Sequence, residues 1–394
     1  MKTTLCLCAA LLWISPATAE PFLPTDDSHV LERASVSRRN PDDALLITLR
    51  TRLAQQPADA TTAAALARIY LQRARSQSDP RYLGYTQAVL APWAGATQPP
   101  LEIQLLRATA AQSLHDFAAS LRDLDIILQR HPQHAQARLT RATVYQARGE
   151  LSSARADCEQ LLRMTRALIA ETCTATVDSL NGHAARAYAR VSTLRTQLAD
   201  HDLPLAPWLD GLLAEFAQRS GDDIAAEQHY RKALAATPDD AYLLAAFADF
   251  LLDHQRADEV VTLLQDNTRA DGLLLRFALA KQQLRAPDSA SLVNTLTARF
   301  AEARARGTAL HLREEAMFTL KLQNNAVHAL TLAQANWQDQ REPADARILL
   351  EAALAAHQPQ GAAAALQWIE QTGIEDPVLR VFLLPAFVQG GVAP

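Results

Sequence analysis

Side chains with the type and spacing for metal chemistry are few in this 394-residue chain. His131 and His134 form the sequence HPQH, and their imidazoles could ligate a transition metal such as zinc. Protein zinc sites need three or four such ligands, and no further His or Cys adjoins this pair. We therefore interpret the pair as part of a surface loop, and we predict neither a metal ion nor a cofactor.

Carboxylate pairs are the second candidate for chemistry, because neighbouring acids can share acid–base work. Asp222-Asp223 and Asp239-Asp240 each precede a predicted helix, where a carboxylate accepts hydrogen bonds from free backbone N–H groups and complements the helix dipole. Motifs for nucleotide binding, serine hydrolysis and zinc proteolysis do not occur in the sequence. We predict that the chain is not an enzyme. The alternative is an envelope enzyme or ligand-binding protein with a site in the C-terminal third or in the 200–207 insertion.

The composition excludes several other classes of protein. Lys and Arg number 38 against 43 Asp and Glu, which gives a formal net charge of −5 and disfavours a polybasic nucleic-acid binder. Hydrophobic residues make up 49% of the chain and charged residues 21%, so the chain is not wholly disordered. Aromatic residues make up only 6%, and the abundance of Ala favours close-packed helices over a β-sandwich or barrel.

The first nineteen residues have the pattern of a secretory signal. Lys2 provides a positive start, an apolar run covers 5–14, and Ala17-Thr18-Ala19 is a small-x-small cleavage site. We therefore predict cleavage between Ala19 and Glu20 and a periplasmic or secreted protein. The alternatives are a buried N-terminal helix or a lipidated Cys8. No later segment is apolar over the length of a membrane span, so we expect no transmembrane segment after signal removal.

Small residues recur along the chain at a nearly constant interval. Five alanines form the first column, with one longer interval before the fourth: Ala108, Ala142, Ala175, Ala214 and Ala248. A column of mostly larger residues lies sixteen residues further on: Leu124, Cys158, Val191, Tyr230 and Leu264. Small residues let two antiparallel helices approach closely, while larger ones fill the space beside them. Gly149, Gly182 and Gly221 lie seven residues after their alanines, where a turn requires a positive φ.

This pattern resembles the tetratricopeptide repeat, a helix–turn–helix unit of about 34 residues. The resemblance extends over 101–266 and is clearest around Ala142 and Gly149. It departs from the family pattern at His115 and Gln255, which replace the turn glycine. The resemblance implies an all-α fold, a right-handed α-solenoid of stacked antiparallel helix pairs. It also implies a scaffold or assembly adaptor whose concave groove holds a partner protein or peptide.

The sequence pattern divides the whole chain into six segments. The divisions are a signal peptide at 1–19, an extended N-terminal arm at 20–41, divergent N-terminal repeats at 42–100, tetratricopeptide-like repeats at 101–266, divergent C-terminal repeats and a cap at 267–388, and a flexible tail at 389–394. After residue 268, helical periodicity covers 270–283, 288–306, 308–321, 325–338, 342–356 and 359–372. The insertion at 200–207 is the best candidate for a division into two halves. The apolar stretch 378–388 is predicted to be a capping helix or, alternatively, a partner-binding segment.

Two cysteines, Cys158 and Cys173, remain after signal removal. They lie seven and eight residues from a fold-back near Thr165, so an antiparallel helix pair places them opposite each other. In an oxidising compartment this arrangement favours a disulfide. The alternative is a pair of small apolar core residues.

The family resemblance implies a partner-binding groove along the first helix of each unit. The residues that it places there are Thr109, Gln112, Ser113, Thr143, Gln146, Thr176, Ser179, Glu215, Arg219, Tyr242, Asp249 and Asp253. We expect no nucleic acid there, and the alternative is an ordinary solvated helix face. Trp208 is expected to anchor the core, with a role as an exposed binding aromatic as the alternative. Asp178 occupies a position where the family has an aromatic, so it is expected to be structural and to need an Arg, Ser or Asn partner.

Overall fold

The computed structural model describes residues 42–305 and 312–384, and every regular element in those ranges is a helix. The α-helices are α1 (Asp42–Gln55), α2 (Ala60–Gln77), α3 (Arg81–Leu90), α4 (Leu101–Ser113), α5 (Phe117–Arg130), α6 (Ala135–Ala147), α7 (Leu151–Leu161), α8 (Ala167–Leu180), α9 (Ala184–Thr196), α10 (Ala206–Ser220), α11 (Asp223–Ala236), α12 (Ala241–Asp253), α13 (Ala257–Leu264), α14 (Asp271–Gln283), α15 (Ser289–Ala305), α16 (Leu312–Lys321), α17 (Ala326–Asp339), α18 (Pro343–Ala355), α19 (Ala363–Thr372) and α20 (Pro377–Arg380). The predicted signal peptide, arm and flexible tail lie outside the described residues.

The helices from α4 to α13 form five consecutive pairs, each packed on the next. All five alanines of the first column are completely buried, and the larger column is buried as well. The alanines lie where a larger side chain would force the two backbones apart, which is why the columns recur at the repeat length. The described chain is therefore an all-α solenoid, as the sequence predicted.

The turns inside these pairs have the predicted backbone conformation. Gly149, Gly182 and Gly221 have φ values of +71°, +74° and +80°. Where the repeat lacks glycine, His115 and Gln255 take the same left-handed conformation at +58° and +59°. The turn geometry is thus kept in all five pairs, although a side chain is less favourable there than glycine.

Aspartates begin several of the helices. The side chains of Asp116, Asp222 and Asp240 accept hydrogen bonds from backbone N–H groups in the first turns of α5, α11 and α12. Asp222 and Asp240 come from the two carboxylate pairs, and they are helix caps as expected.

The insertion in the long repeat is a short 3₁₀-helix at Asp200–Leu205. It does not divide the chain into halves, because α9 and α10 on either side share one buried core. Val191 packs there with Leu209 and Leu213. The extra residues are accommodated within the stack, and the described residues from Leu46 onward belong to one compact unit.

The C-terminal helices return to the middle of the solenoid. One continuous core joins residues of α6 to α8, such as Leu161, to residues of α17 to α19, such as Trp337, Leu349 and Trp368. The backbone N–H of Arg341 donates to the carbonyl oxygen of Ala147 at 2.8 Å.

Two further contacts extend this docking along the turn edge of the central pairs. The carboxylate of Glu375 accepts from the backbone N–H of Ala184 at 2.7 Å. Arg347 of α18 makes two bonds of 2.7 Å to Asp253, at the end of α12. The C-terminal region is therefore packed against one edge of the stack, where a turn joins the two helices of each pair.

The predicted capping helix, 378–388, lies outside the described residues from 385 onward, and its described part is not one continuous helix. It contains one turn of α-helix, α20, followed by a 3₁₀ turn at Val381–Leu383. Leu384 is extended, with ψ of 145°, because the following Pro385 disfavours helical geometry in the residue before it. Leu379 is buried and caps the core, but Leu384 is exposed.

Candidate functional site

Side chains of successive first helices bond to one another across the predicted groove. We call this surface the first-helix face, and it comprises the twelve predicted groove residues of α4, α6, α8, α10 and α12 together with Trp208, which lies one repeat length before Tyr242. The Gln112 side-chain amide donates to the Thr143 hydroxyl at 3.1 Å, which joins α4 to α6. Arg219 donates to the Ser179 hydroxyl and so joins α10 to α8. These bonds show that residues from different repeats lie side by side, as the repeat register predicted.

The neutral half of this face satisfies most of its own hydrogen bonds. The hydroxyls of Thr109, Ser113 and Thr176 each donate to the backbone carbonyl four residues earlier in the same helix. Gln146 is half-buried on α6. A hydroxyl that donates its hydrogen to its own helix can still accept a hydrogen bond, but it cannot donate one to a partner.

The charged half of the face is paired within the molecule. Arg219 bonds to Glu215 at 2.9 Å, one helical turn away. Asp249 accepts two bonds from Arg276 of α14, at 2.8 and 2.6 Å. Asp253 is bound by Arg347, so the chain's own C-terminal region occupies this end of the face.

Neither arginine partner was identified from the sequence. Arg276 lies one repeat length after Tyr242, so extending the repeat register by one unit would have found it. The repeat register does not predict the role of Arg347, because its contact with Asp253 spans 94 residues and depends on how the C-terminal region docks.

Two aromatic side chains are the exposed apolar groups on this face. Trp208 is 44% exposed and Tyr242 is 64% exposed, so the expectation that Trp208 anchors the core is wrong. Trp208 lies seven residues before Glu215 on α10, and Tyr242 lies seven before Asp249 on α12. The core positions next to Trp208 are taken by smaller aliphatic residues such as Leu209, which leaves the indole on the side that carries Glu215.

The hydroxyl of Tyr242 donates to Glu215 at 2.6 Å. The negative charge of Glu215, together with partial desolvation, raises the pKa of Tyr242 well above its usual value. The side chain is thus open to water on one side and packed against protein groups on the other.

Asp178 is buried on α8, and its carboxylate has two arginine partners. Arg155 donates to one carboxylate oxygen at 2.6 Å, and Arg186 donates to the other at 3.1 Å. Although burial alone would raise the pKa of Asp178, these hydrogen bonds lower it. Its role is to hold α8 against α7 and α9.

A hydrogen-bonded chain that the sequence did not reveal links three helices on the opposite side. The His229 ring lies between Asp210, at 3.2 Å from Nδ1, and the Tyr188 hydroxyl, at 3.1 Å from Nε2. Asp210 is buried and also accepts from Arg195 and Lys232. Burial lowers the pKa of His229 despite the nearby carboxylate. Two cations pair with the charge of Asp210, and the cluster therefore holds α9, α10 and α11 together.

The remaining candidates for chemistry have local structural roles. The Nδ1 atom of His134 accepts from the backbone N–H of Ala137 and caps α6. In the 200–207 insertion, Asp202 pairs with Arg166. Within residues 42–305 and 312–384, no group of three His, Cys, Asp or Glu side chains is arranged to hold a metal ion.

The predicted cysteine pair is brought together by the structure. Cys158 of α7 and Cys173 of α8 are joined, with their Cα atoms 5.5 Å apart. Both side chains belong to the core that the C-terminal region shares with the central pairs.

A separate observation concerns membranes. None of the helices in the described part of the chain combines the length and apolar character needed to cross a bilayer.

Comparison with known proteins gives structural rather than sequence similarity. No protein-family model and no curated protein matches the sequence. Similar solved structures include a monomeric IFIT1 mutant with Gppp-AAAA, at 13% identity over 86% of this chain and 76% of that chain, with a TM-score of 0.36. They also include the TPR domain of P58(IPK), at 15% identity over 82% and 97%, and yeast Tom70, at 10% identity over 88% and 99%, both with a TM-score of 0.23. These scores are low, so the TPR-like fold rests on the helix pairs of this chain.

Proposed function

We propose that this chain is an exported scaffold that holds a partner protein or peptide against its first-helix face. The observation that carries the proposal is the alignment of that face across repeats, seen in the bonds from Gln112 to Thr143 and from Tyr242 to Glu215. A continuous face built from successive helices can hold an extended or helical segment along its length.

Export is the second part of the proposal. It is supported by the signal-like sequence at 1–19 and by the pairing of Cys158 with Cys173, since disulfides persist in oxidising compartments. Export would place the scaffold in the periplasm or outside the cell.

Photo-crosslinking in living cells tests the proposal. A photoreactive amino acid placed at Gln112 or Gln146 should give one dominant adduct in envelope fractions. The same group at Glu159, which is exposed on the second helix α7, is the matched control and should give no such adduct. Combined replacement of Gln112, Gln146 and Glu215 by Ala should abolish the association.

Two outcomes would contradict the proposal. If adducts form equally from Glu159 and from the groove positions, the face is not the binding surface. If no association depends on the face at all, the chain is better explained as a spacer in a larger assembly. An activity screen in which turnover is lost on changing a carboxylate or His would instead favour the enzymatic alternative.

A further inference from the structure

We propose that the chain has a second binding surface, on which an exposed arginine and a cluster of tyrosines bind an acidic segment of a partner protein. The surface consists of Arg50 of α1, Tyr70 of α2, and Tyr82 and Tyr85 of α3, and we call it the tyrosine platform. It shares no residue with the first-helix face, which begins at α4, and it therefore goes beyond the proposed function.

The three tyrosine rings of the platform lie against one another. The ring centroid of Tyr70 is 6.2 Å from that of Tyr82 and 5.5 Å from that of Tyr85. The rings of Tyr82 and Tyr85 are 5.9 Å apart. Tyr70 is buried in the core beside α1, whereas Tyr85 is 46% exposed. The cluster therefore presents to solvent an aromatic surface that is anchored from below.

Arg50 is held over these rings in a defined orientation. Its Nε atom donates to the Tyr70 hydroxyl at 2.7 Å. Its guanidinium carbon lies 5.5 Å from the ring centroid of Tyr70 and 5.9 Å from that of Tyr85. The side chain is nevertheless exposed to solvent. A guanidinium group that stacks on aromatic rings keeps its outer N–H groups available for a carboxylate, and its fixed orientation lowers the entropy cost of binding.

The charge of Arg50 is not paired within the described part of the chain. Arg52, two residues further along α1, bonds to the carboxylate of Asp59 at 3.1 Å. Arg50 has no carboxylate partner among the described residues. Residues 42–90 carry six arginines and four aspartates, although the whole chain has a net charge of −5. An oriented, unpaired cation in a locally positive region favours an anionic partner.

The surroundings of Arg50 favour a carboxylate of a polypeptide. Ile47, one helical turn before Arg50, is 65% exposed and adds an aliphatic surface beside the charge. An aspartate or glutamate can form paired hydrogen bonds with the guanidinium group while an apolar neighbour packs against Tyr85 or Ile47. Nucleic-acid binding depends on many phosphate contacts, so a platform built around one exposed arginine suits it less well.

Peptide binding to the full chain tests the proposal. The probe is a fluorescent peptide of repeating Gly-Leu-Glu, and its control has glutamine in place of each glutamate, which keeps the size and removes the charge. We expect the glutamate peptide to bind about tenfold more tightly, from one charged hydrogen-bonded pair. Arg50→Gln should remove most of this difference, whereas the matched control Arg52→Gln should keep it, because Arg52 is already paired with Asp59.

Variants of Tyr85 separate the aromatic contribution from the charge. Tyr85→Ala should weaken the binding of both peptides, because the exposed ring is lost. Tyr85→Phe keeps the ring and should bind as the wild type does. Raising the salt concentration from about 20 mM to about 300 mM should reduce the advantage of the glutamate peptide, since screening weakens an exposed ion pair.

Four results would overturn the proposal. They are equal binding of the two peptides, a full difference retained by Arg50→Gln, unchanged binding by Tyr85→Ala, and tighter binding of a single-stranded oligothymidine than of the glutamate peptide. The last result would indicate nucleic acid as the ligand instead. None of them would alter the crosslinks expected from Gln112, so the scaffold proposal is tested separately.

Discussion

The central helix pairs and the C-terminal helices are built from similar units but are held in place by contacts of different range. In the central region, each pair packs on the next, and the Cys158–Cys173 link spans only 15 residues. In the C-terminal region, the bond from the Ala184 backbone to Glu375 spans 191 residues. Repeat periodicity therefore specifies the first kind of contact, whereas the second kind depends on the assembled stack.

The largest expected loss of stability comes from adding a methyl group where the two regions meet. A Cβ atom on Gly182 would lie 2.8 Å from the backbone carbonyl oxygen of Gly373, and φ is +74°. Gly182→Ala should therefore lower the free energy of unfolding by about 3 kcal/mol, from backbone strain together with displacement of the C-terminal region. Urea unfolding measures the loss.

Gly221→Ala is the matched control for this prediction. Gly221 has a similar φ of +80°, but its added Cβ would make only an ordinary 3.6 Å contact with Pro377. Its cost should be about 1 kcal/mol, from strain alone. Equal losses for the two variants would mean that the C-terminal region does not press on the Gly182 turn.

Removing the cysteine link should have a similar or slightly smaller effect inside the central region. Replacement of both Cys158 and Cys173 by Ala should cost about 3 kcal/mol, because the unfolded chain gains freedom when a 15-residue loop is opened. The measurement is urea unfolding of the oxidised wild type against the variant. Two free thiols in freshly isolated exported protein, titrated in denaturant, would show that the link does not form in the cell.

Acidification should affect the two regions in opposite ways and over different pH ranges. In the C-terminal region, burial raises the pKa of Asp345 to about 6. In the central region, hydrogen bonds from Arg256 lower the pKa of Glu227 to about 2. The folded state therefore takes up a proton at Asp345 more readily than the unfolded chain does, whereas Glu227 behaves in the reverse way.

The sign of each effect follows from these directions. As the pH falls from 7 through 6 towards 4, protonation of Asp345 should add about 2 kcal/mol to stability. The stability contributed by Glu227 is present above pH ~4.5 and is lost as the pH falls towards 2. The difference in unfolding free energy between the wild type and Asp345→Asn, measured from pH 7 to pH 5, isolates the first effect. A difference that does not change with pH would contradict the prediction.

The smallest expected effect is the coupling between Arg347 and Asp253. Their two bonds of 2.7 Å join the regions directly, and both side chains are partly shielded from water. A double-mutant cycle with alanine should give a coupling of about 1 kcal/mol. The local pair Lys281–Asp288, at 3.2 Å and with an exposed carboxylate, should give less than ~0.5 kcal/mol. Equal coupling energies for the two pairs would show that the Arg347–Asp253 pair contributes no more to stability than a local surface pair.

Much of the fold could be predicted from the sequence, because it depends on short-range spacing. The buried alanine column, the positive φ at Gly149 and the pairing of Cys158 with Cys173 all follow from packing one helix pair on the next. Even in the divergent C-terminal region, helical periodicity located α14 to α19 to within a few residues. Local patterns sufficed because neighbouring helices pack through the same columns.

The candidate site was less predictable, because side-chain partners come from outside the local pattern. Trp208 was expected in the core, yet its place in the register exposes it on the helix face that carries Glu215. The arginine that binds Asp253 lies 94 residues away, and no repeat column leads to it. The position of a side chain along its helix could be derived from sequence, but its partner across the fold could not.

The docking of the C-terminal region on the turn edge restricts how this chain can evolve. An open repeat array can gain or lose units, since each one contacts only its neighbours. Here Gly373 must meet Gly182, and Arg347 must meet Asp253, at the same time. Duplication of one pair between α13 and α16 would carry both contacts out of register, so the number of repeats is fixed, and variation should be confined to surface residues and to the ends of the chain.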